Sequence, residues 1–274
     1  VRYWWVWHRV VTSHSAKLTM SARRSQRSSS RQTGPVRVPD VSIDLSTGGL
    51  PAYLAEPTEN NGPWPGVIVV HDALGMTTDL RNQADWLARH GYLAIAPDLY
   101  HWGRRLRCLI PTMRAMATGT GRSFDDLDAT RRWLHARDDC TGRIGVIGFC
   151  MGGGYALMLA GSGDYEASSA NYGMIDDAEQ VLANSCPIVA SYGAKDRSLR
   201  AAPVELDRVL TAHGVEHDIK TYREAGHGFL NDHAPGEIPI WAAVAGRFAN
   251  TAYHEPSAID ARQRIIAFFD RHLC

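Results

Sequence analysis

The sequence predicts an α/β fold: a mostly parallel central sheet with helices on both faces. Three observations carry this. Runs such as "VIVV" (67–70) are apolar without alternation, as in strands covered on both sides. Segments of helical period separate these runs at βαβ spacing. No repeat or long linker interrupts residues 36–274, so they are expected to form a single domain.

The elements follow in order. "VSIDL" (41–45) alternates with period two, "STGG" turns, and "LPAYLAEP" returns, which is a hairpin signal. "PGVIVVHD" (65–72) is a buried strand. In "TTDLRNQADWLARHG", Leu80, Ala84 and Leu87 share one helical face and Gly91 is a stop. "YLAIAPDLY" (92–100) is the next strand. Residues 101–122 show no clean apolar period and carry five arginines, so they read as an irregular cap segment. Ser123 and Asp126 suggest an approximate capping box that opens the helix "SFDDLDATRRWLHARDD". Strands are then expected at 143–148, 167–172, 188–192 and 217–222, with helices from 151 and over 202–213. "AIDARQRIIAFFDRHL" closes the chain as a helix with Ile265, Phe268 and Phe269 on one side. A second cap segment is expected over 232–256.

Composition narrows the function. The 29 basic and 29 acidic residues cancel, but unevenly. Residues 1–39 hold eight basic and no acidic residues, which leaves 21 basic against 29 acidic in the remainder. An acidic body does not suit a nucleic-acid partner. Five cysteines without a CxxC pair argue against a disulfide scaffold or a zinc knuckle and for a reducing, cytoplasmic setting. No apolar run reaches 18 residues, so no membrane partner is expected. Residues 1–35, aromatic then Ser/Arg-rich, read as a disordered extension without a secretory signal, from an early start upstream of Met20. An interaction of this tail with an anionic surface is not expected.

The chemistry centres on "RIGVIGFCMGGGYALMLAG" (143–161). Gly148-Phe-Cys150-Met-Gly152 follows a strand and opens a helix. A nucleophile elbow requires this logic: the nucleophile stands on a strained turn, with small residues two before and two after. The turn exposes the sulfur at the carboxyl end of the sheet, and the helix amino terminus favours thiolate. The dinucleotide pattern GxGxxG and the phosphate-loop pattern are both absent. A buried structural cysteine is the alternative reading.

A thiol nucleophile needs a histidine and an orienting acid, in the chain order nucleophile, acid, histidine. "PIVASYGAKD" is a strand followed by a loop ending in Asp196; "HDIKTYREAGHGF" is a strand followed by a loop carrying His227. All three residues stand past strand carboxyl ends, on one edge of the sheet. Asp196 as a helix cap and His227 as a surface turn residue are the bland readings. The oxyanion hole is expected from the amides of Met151, in the elbow, and Ala73, after "VIVVHD". His71 ends a strand and could line the site. A metal site from His71, Asp72, His101 and His227 has non-diagnostic spacing, and neither metal nor cofactor is expected.

"VIVVHDALGM…DLRNQADWLARHGYLAIAPDLY", "GFCMGGGYAL", "SYGAKD" and "REAGHGF" together resemble the dienelactone hydrolase family, from about residue 40 to the carboxyl terminus. The resemblance implies the α/β-hydrolase fold and cofactor-free cleavage of a small ester or lactone through an acyl-thioester. It assigns Cys150, Asp196 and His227 to the triad and Ala73 and Met151 to the oxyanion hole. It also exposes departures. Asp72 stands where family enzymes carry a glutamate that helps activate the cysteine. Asn231 stands where they carry an arginine that grips the substrate carboxylate, so a neutral substrate is as possible as an anionic one. Arg104, Arg105 and Arg114 are candidates for a second family arginine, from the cap. Trp102, Trp241, Phe149 and Tyr100 are candidate pocket linings. A monomer or small homo-oligomer is expected. A thiol peptidase or acyltransferase, or a non-catalytic ligand-binding protein on the same fold, are the alternatives.

Overall fold

The structure, a computed structural model, describes residues 40–58, 62–234, 236–239 and 251–274. The expected extension 1–35, Trp241 and the middle of the expected cap segment 232–256 lie outside the described residues.

Eight strands form one sheet in the order β1-β2-β4-β3-β5-β6-β7-β8. They are β1 (Val41–Leu45), β2 (Gly48–Ala55), β3 (Trp64–Val70), β4 (Leu93–Pro97), β5 (Cys140–Phe149), β6 (Ala167–Asn171), β7 (Ile188–Gly193) and β8 (His217–Tyr222). The hairpin β1–β2 pairs antiparallel and β2 joins β4 antiparallel; every later pairing is parallel. The helices are α1 (Thr78–Ala88), α2 (Arg105–Thr118), α3 (Arg122–His135), α4 (Met151–Ala160), α5 (Ala178–Val181), α6 (Ala202–Ala212) and α7 (Glu255–Leu273).

The central strands are apolar throughout because both faces are covered. Val67 to Val70 and Leu93 to Ala96 are fully buried. Strand geometry sorts the helices between the faces. Gly145 and Gly148 are three positions apart on β5 and so face opposite sides. A methyl on Gly145 would strike Leu273 of α7, whereas one on Gly148 would strike the first turn of α4. α1 lies with α7, since the Arg262 guanidinium sits 5.8 Å from the Trp86 ring. On the other face α2 holds α4 through the Tyr155 hydroxyl, which donates to the Thr112 carbonyl at 2.7 Å. Residues alternating to each side give the sheet an α/β sandwich, with helices covering both faces.

Two expectations are corrected. Residues 105–118, read as irregular, form the fourteen-residue helix α2. Its buried face is Cys108, Leu109, Thr112 and Ala115, a helical spacing that the arginines and Pro111 obscure. It ends at Gly119, whose φ of 71° is the left-handed conformation of a helix stop. The Ser123–Asp126 capping box is also absent. α3 begins one residue earlier, with Gly121 at its N-cap and no side-chain cap bond. Ser123 is buried inside the first turn, and Asp126 accepts instead from His101 at 3.2 Å.

Candidate active site

Cys150 links β5 to α4 with φ 55° and ψ −113°, a conformation that side chains rarely adopt. The turn survives because its neighbours lack side chains. A Cβ on Gly148 would lie 1.8 Å from the Gly152 carbonyl oxygen, and one on Gly152 would lie 2.2 Å from the Val70 carbonyl oxygen. Gly153 rests directly on Gly173, backbone against backbone. The Cys150 amide donates to Asn171 O at 3.0 Å, which ties the elbow to the end of β6.

His227 and Asp196 are brought together from the loops after β8 and β7. His227 Nδ1 donates to Asp196 Oδ2 at 2.7 Å, and Asp196 is 1% exposed. Its other oxygen accepts from the Ser198 amide at 2.9 Å and hydroxyl at 2.5 Å. Burial raises the carboxyl pKa, but the bonds from His227 and Ser198 prevail and hold it below the usual value. The other side of the imidazole faces the Cys150 sulfur. Burial opposes the charged ring; the facing sulfur and Asp196 outweigh it and raise the pKa to about 10. Gly193 is one reason the two loops can meet, since a Cβ there would lie 2.3 Å from the Gly226 carbonyl oxygen.

Ala73 follows β3 and Met151 is the first residue of α4. Among the described residues, neither amide donates to a hydrogen-bond acceptor. The Tyr100 hydroxyl meets this edge, 3.3 Å from Ala73 O and 3.9 Å from Met151 Sδ.

The other predicted residues are placed as follows. Asp72 Oδ1 accepts the Leu74 amide at 2.7 Å, and Oδ2 faces His233 Nε2 at 3.1 Å. Asn231 is buried; it accepts from the Tyr172 hydroxyl and donates to Asp79 Oδ2 at 2.6 Å. Arg104 caps α2 and is exposed. Arg105 is half-buried, and its charge is felt at both Tyr100 and His71. Trp102 and Arg114 line a cleft of about 330 Å³ with Ile110, Pro111 and Arg122. Phe149 is core, 1% exposed. His71 is fully buried: Nδ1 donates to Asp72 O at 2.6 Å and Nε2 accepts from the Leu99 amide at 3.2 Å. The imagined metal set therefore does not converge, since His71, His101 and His227 are each bonded elsewhere.

Sequence reasoning did not single out His233, Asp79, Tyr172 or Ser198. Ser198 carried a signal, two residues after Asp196. Tyr172, with φ 41°, packs its ring 5.2 Å from His227. No local pattern marked it.

A strained cysteine on a strand–helix turn, with a His–Asp pair delivered by later strands, defines an α/β-hydrolase. The comparisons with known proteins give the family. Residues 50–273 match the model of the dienelactone hydrolase family, and the chain belongs to it. A Yersinia pestis protein named "Putative carboxymethylenebutenolidase" is 29% identical, covering 92% of this chain and 95% of that protein. The carboxymethylenebutenolidase of Pseudomonas putida is 26% identical over 67% of this chain and 82% of its own length. A crystal structure titled as a "Putative Dienelactone Hydrolase" from Klebsiella pneumoniae superposes with a TM-score of 0.68 at 30% identity, covering 85% of this chain and 97% of that one. The chain is thus an enzyme of a family of ester and lactone hydrolases.

Proposed function

We propose that this protein cleaves a small ester or lactone with Cys150 as nucleophile, His227 as proton carrier and Asp196 as orienter. One observation carries the reading: the sulfur stands on a strained turn against an imidazole whose far nitrogen is held by a buried carboxylate. Cys150, its proton passed to His227, attacks the carbonyl, and a tetrahedral oxyanion forms between the amides of Ala73 and Met151, which have no other acceptor among the described residues. Collapse expels the alcohol or enol, which takes the proton from His227. Water, deprotonated by His227, then attacks the thioester and releases the acid and the thiol. In a lactone the leaving oxygen stays on the acyl chain, so one ring-opened acid is released.

The substrate class turns on which cations the site offers. Asn231 is spent on Tyr172 and Asp79 and offers no charge to a carboxylate. Arg105, whose charge is felt at Tyr100 beside the Ala73 carbonyl, is the cap arginine this reading assigns to an anionic acyl group. Five free cysteines, together with the lack of a described helix long and apolar enough to cross a membrane, fit a reducing, cytoplasmic setting.

The test is turnover of p-nitrophenyl acetate and of a carboxylated dienelactone, each followed by absorbance with the wild type and Cys150→Ala. Both reactions should vanish in the variant, a loss of at least about 10³-fold. Retained turnover in a folded Cys150→Ala protein sinks the mechanism. Cleavage of the acetate alone keeps it and moves the substrate to neutral esters and lactones.

A further inference from the structure

We propose that His233 is a positioning residue for the oxyanion loop, where its imidazolium neutralises the Asp72 carboxylate beside Ala73. The inference rests on the catalytic reading above and adds a residue to it.

Asp72 immediately precedes Ala73 and shapes the loop. Its Oδ1 accepts the Leu74 amide at 2.7 Å and its carbonyl accepts the Gly75 amide at 3.2 Å, so residues 72–75 form a tight turn. That arrangement has an electrostatic cost for the chemistry. A full negative charge next to a site where an oxyanion develops opposes the transition state. The structure supplies a counter-charge. His233 Nε2 lies 3.1 Å from Asp72 Oδ2, and each side chain is 12% exposed. Nδ1 of the same ring is buried without a hydrogen-bond partner among the described residues, so Asp72 is the ring's one polar anchor there.

The surroundings favour the charged ring. Besides Asp72, the ionisable groups facing it are Asp79 on α1 and Glu237 on its own loop. Asp79 is fixed by Asn231 and by the Asp232 amide at 2.8 Å; Glu237 is fixed by the Thr78 amide at 2.7 Å and the Ala234 amide at 3.1 Å. Burial pulls the His233 pKa down, and the three carboxylates outweigh it, raising it above 6.5. The ring therefore holds its proton to higher pH than a free imidazole and loses it as pH rises through the raised value. Asp72 is then uncompensated, and turnover falls on the alkaline side.

The experiment is kcat/KM for p-nitrophenyl acetate between about pH 5 and about pH 10 in the wild type, His233→Gln and the double variant Asp72→Asn/His233→Gln. Glutamine keeps a donor for Asp72 but no charge. His233→Gln should be about tenfold slower at neutral pH and should lack the ionisation assigned to His233. The double variant should recover most of the loss, because it removes the charge that needed a partner. A wild-type rate and pH profile in His233→Gln overturns the proposal, as does a double variant no faster than the single. NMR titration of the imidazoles covers variants that do not fold. In the wild type His233 should titrate above 6.5, and in Asp72→Asn at lower pH; equal values in both overturn the proposal. Activity surviving in Cys150→Ala would instead remove the catalytic reading itself. A dead Cys150→Ala with an unaltered His233→Gln removes only this inference.

Discussion

His227 holds the most consequential charge in the molecule. Its pKa of about 10 lies above the ordinary 6.5, so the charged ring stabilises the fold fully below about pH 6.5. That contribution declines as pH rises and is lost once pH passes about 10. Urea midpoints should therefore fall between about pH 7 and about pH 10, and fall less steeply in His227→Gln. Equal slopes in the two proteins would show that the ring gains nothing from the sulfur and Asp196. The residues of this cluster differ in how far the sequence disclosed them. The G-x-C-x-G pattern is legible because its requirement is local: Cβ atoms at Gly148 and Gly152 would collide with backbone only a turn or a strand away. Asp196 and His227 are legible because each follows a strand and the chain order is fixed by the architecture. Asn231 is different. Its meaning depends on Asp79, 152 residues away, and no spacing rule reaches that far.

Elements show the same division. β3 and β4 were readable from apolar runs, β1 from period-two alternation, and α1 and α7 from apolar residues at helical spacing. α2 was not, since two of its four buried positions are Cys108 and Thr112 rather than large hydrophobes. Pro111 added to the concealment. It lies inside α2 and is exposed, and it cannot donate to the Arg107 carbonyl one turn back. Pro111→Ala should therefore stabilise the protein, by about 1–3 kcal/mol in urea unfolding. An unchanged or lower midpoint would mean that the proline's bend is needed to seat α2 on α4. The capping-box expectation at Ser123 failed for a related reason. A serine at the right spacing is a cap only if its backbone is extended, and here Gly121 takes that position while Ser123 turns into the core.

At the scale of the whole molecule, the sheet isolates the chemistry from much of what stabilises it. α7 packs on the face opposite α4, with Ala261, Ile265, Phe268, Phe269 and Leu273 buried. Phe269 is fully buried and its ring meets Tyr92 at 6.0 Å. Phe269→Ala should cost about 3–5 kcal/mol of stability, read from denaturant unfolding, and leave kcat of the folded enzyme unchanged. A reduced kcat at full folding would show that the two faces are coupled through the sheet. The general architecture was legible because it follows from alternation of patterns along the chain. The closing of one helix over a particular strand was not, because it depends on shapes such as the hollow at Gly145 that receives Leu273. The contact between Gly153 and Gly173 has a mechanical meaning. With no side chain between the two backbones, the first turn of α4 and the segment leaving β6 form a single stiff block. Cys150 and Tyr172 are therefore expected to move together or not at all. Relatives that have diverged toward different substrates should have left this block as it was.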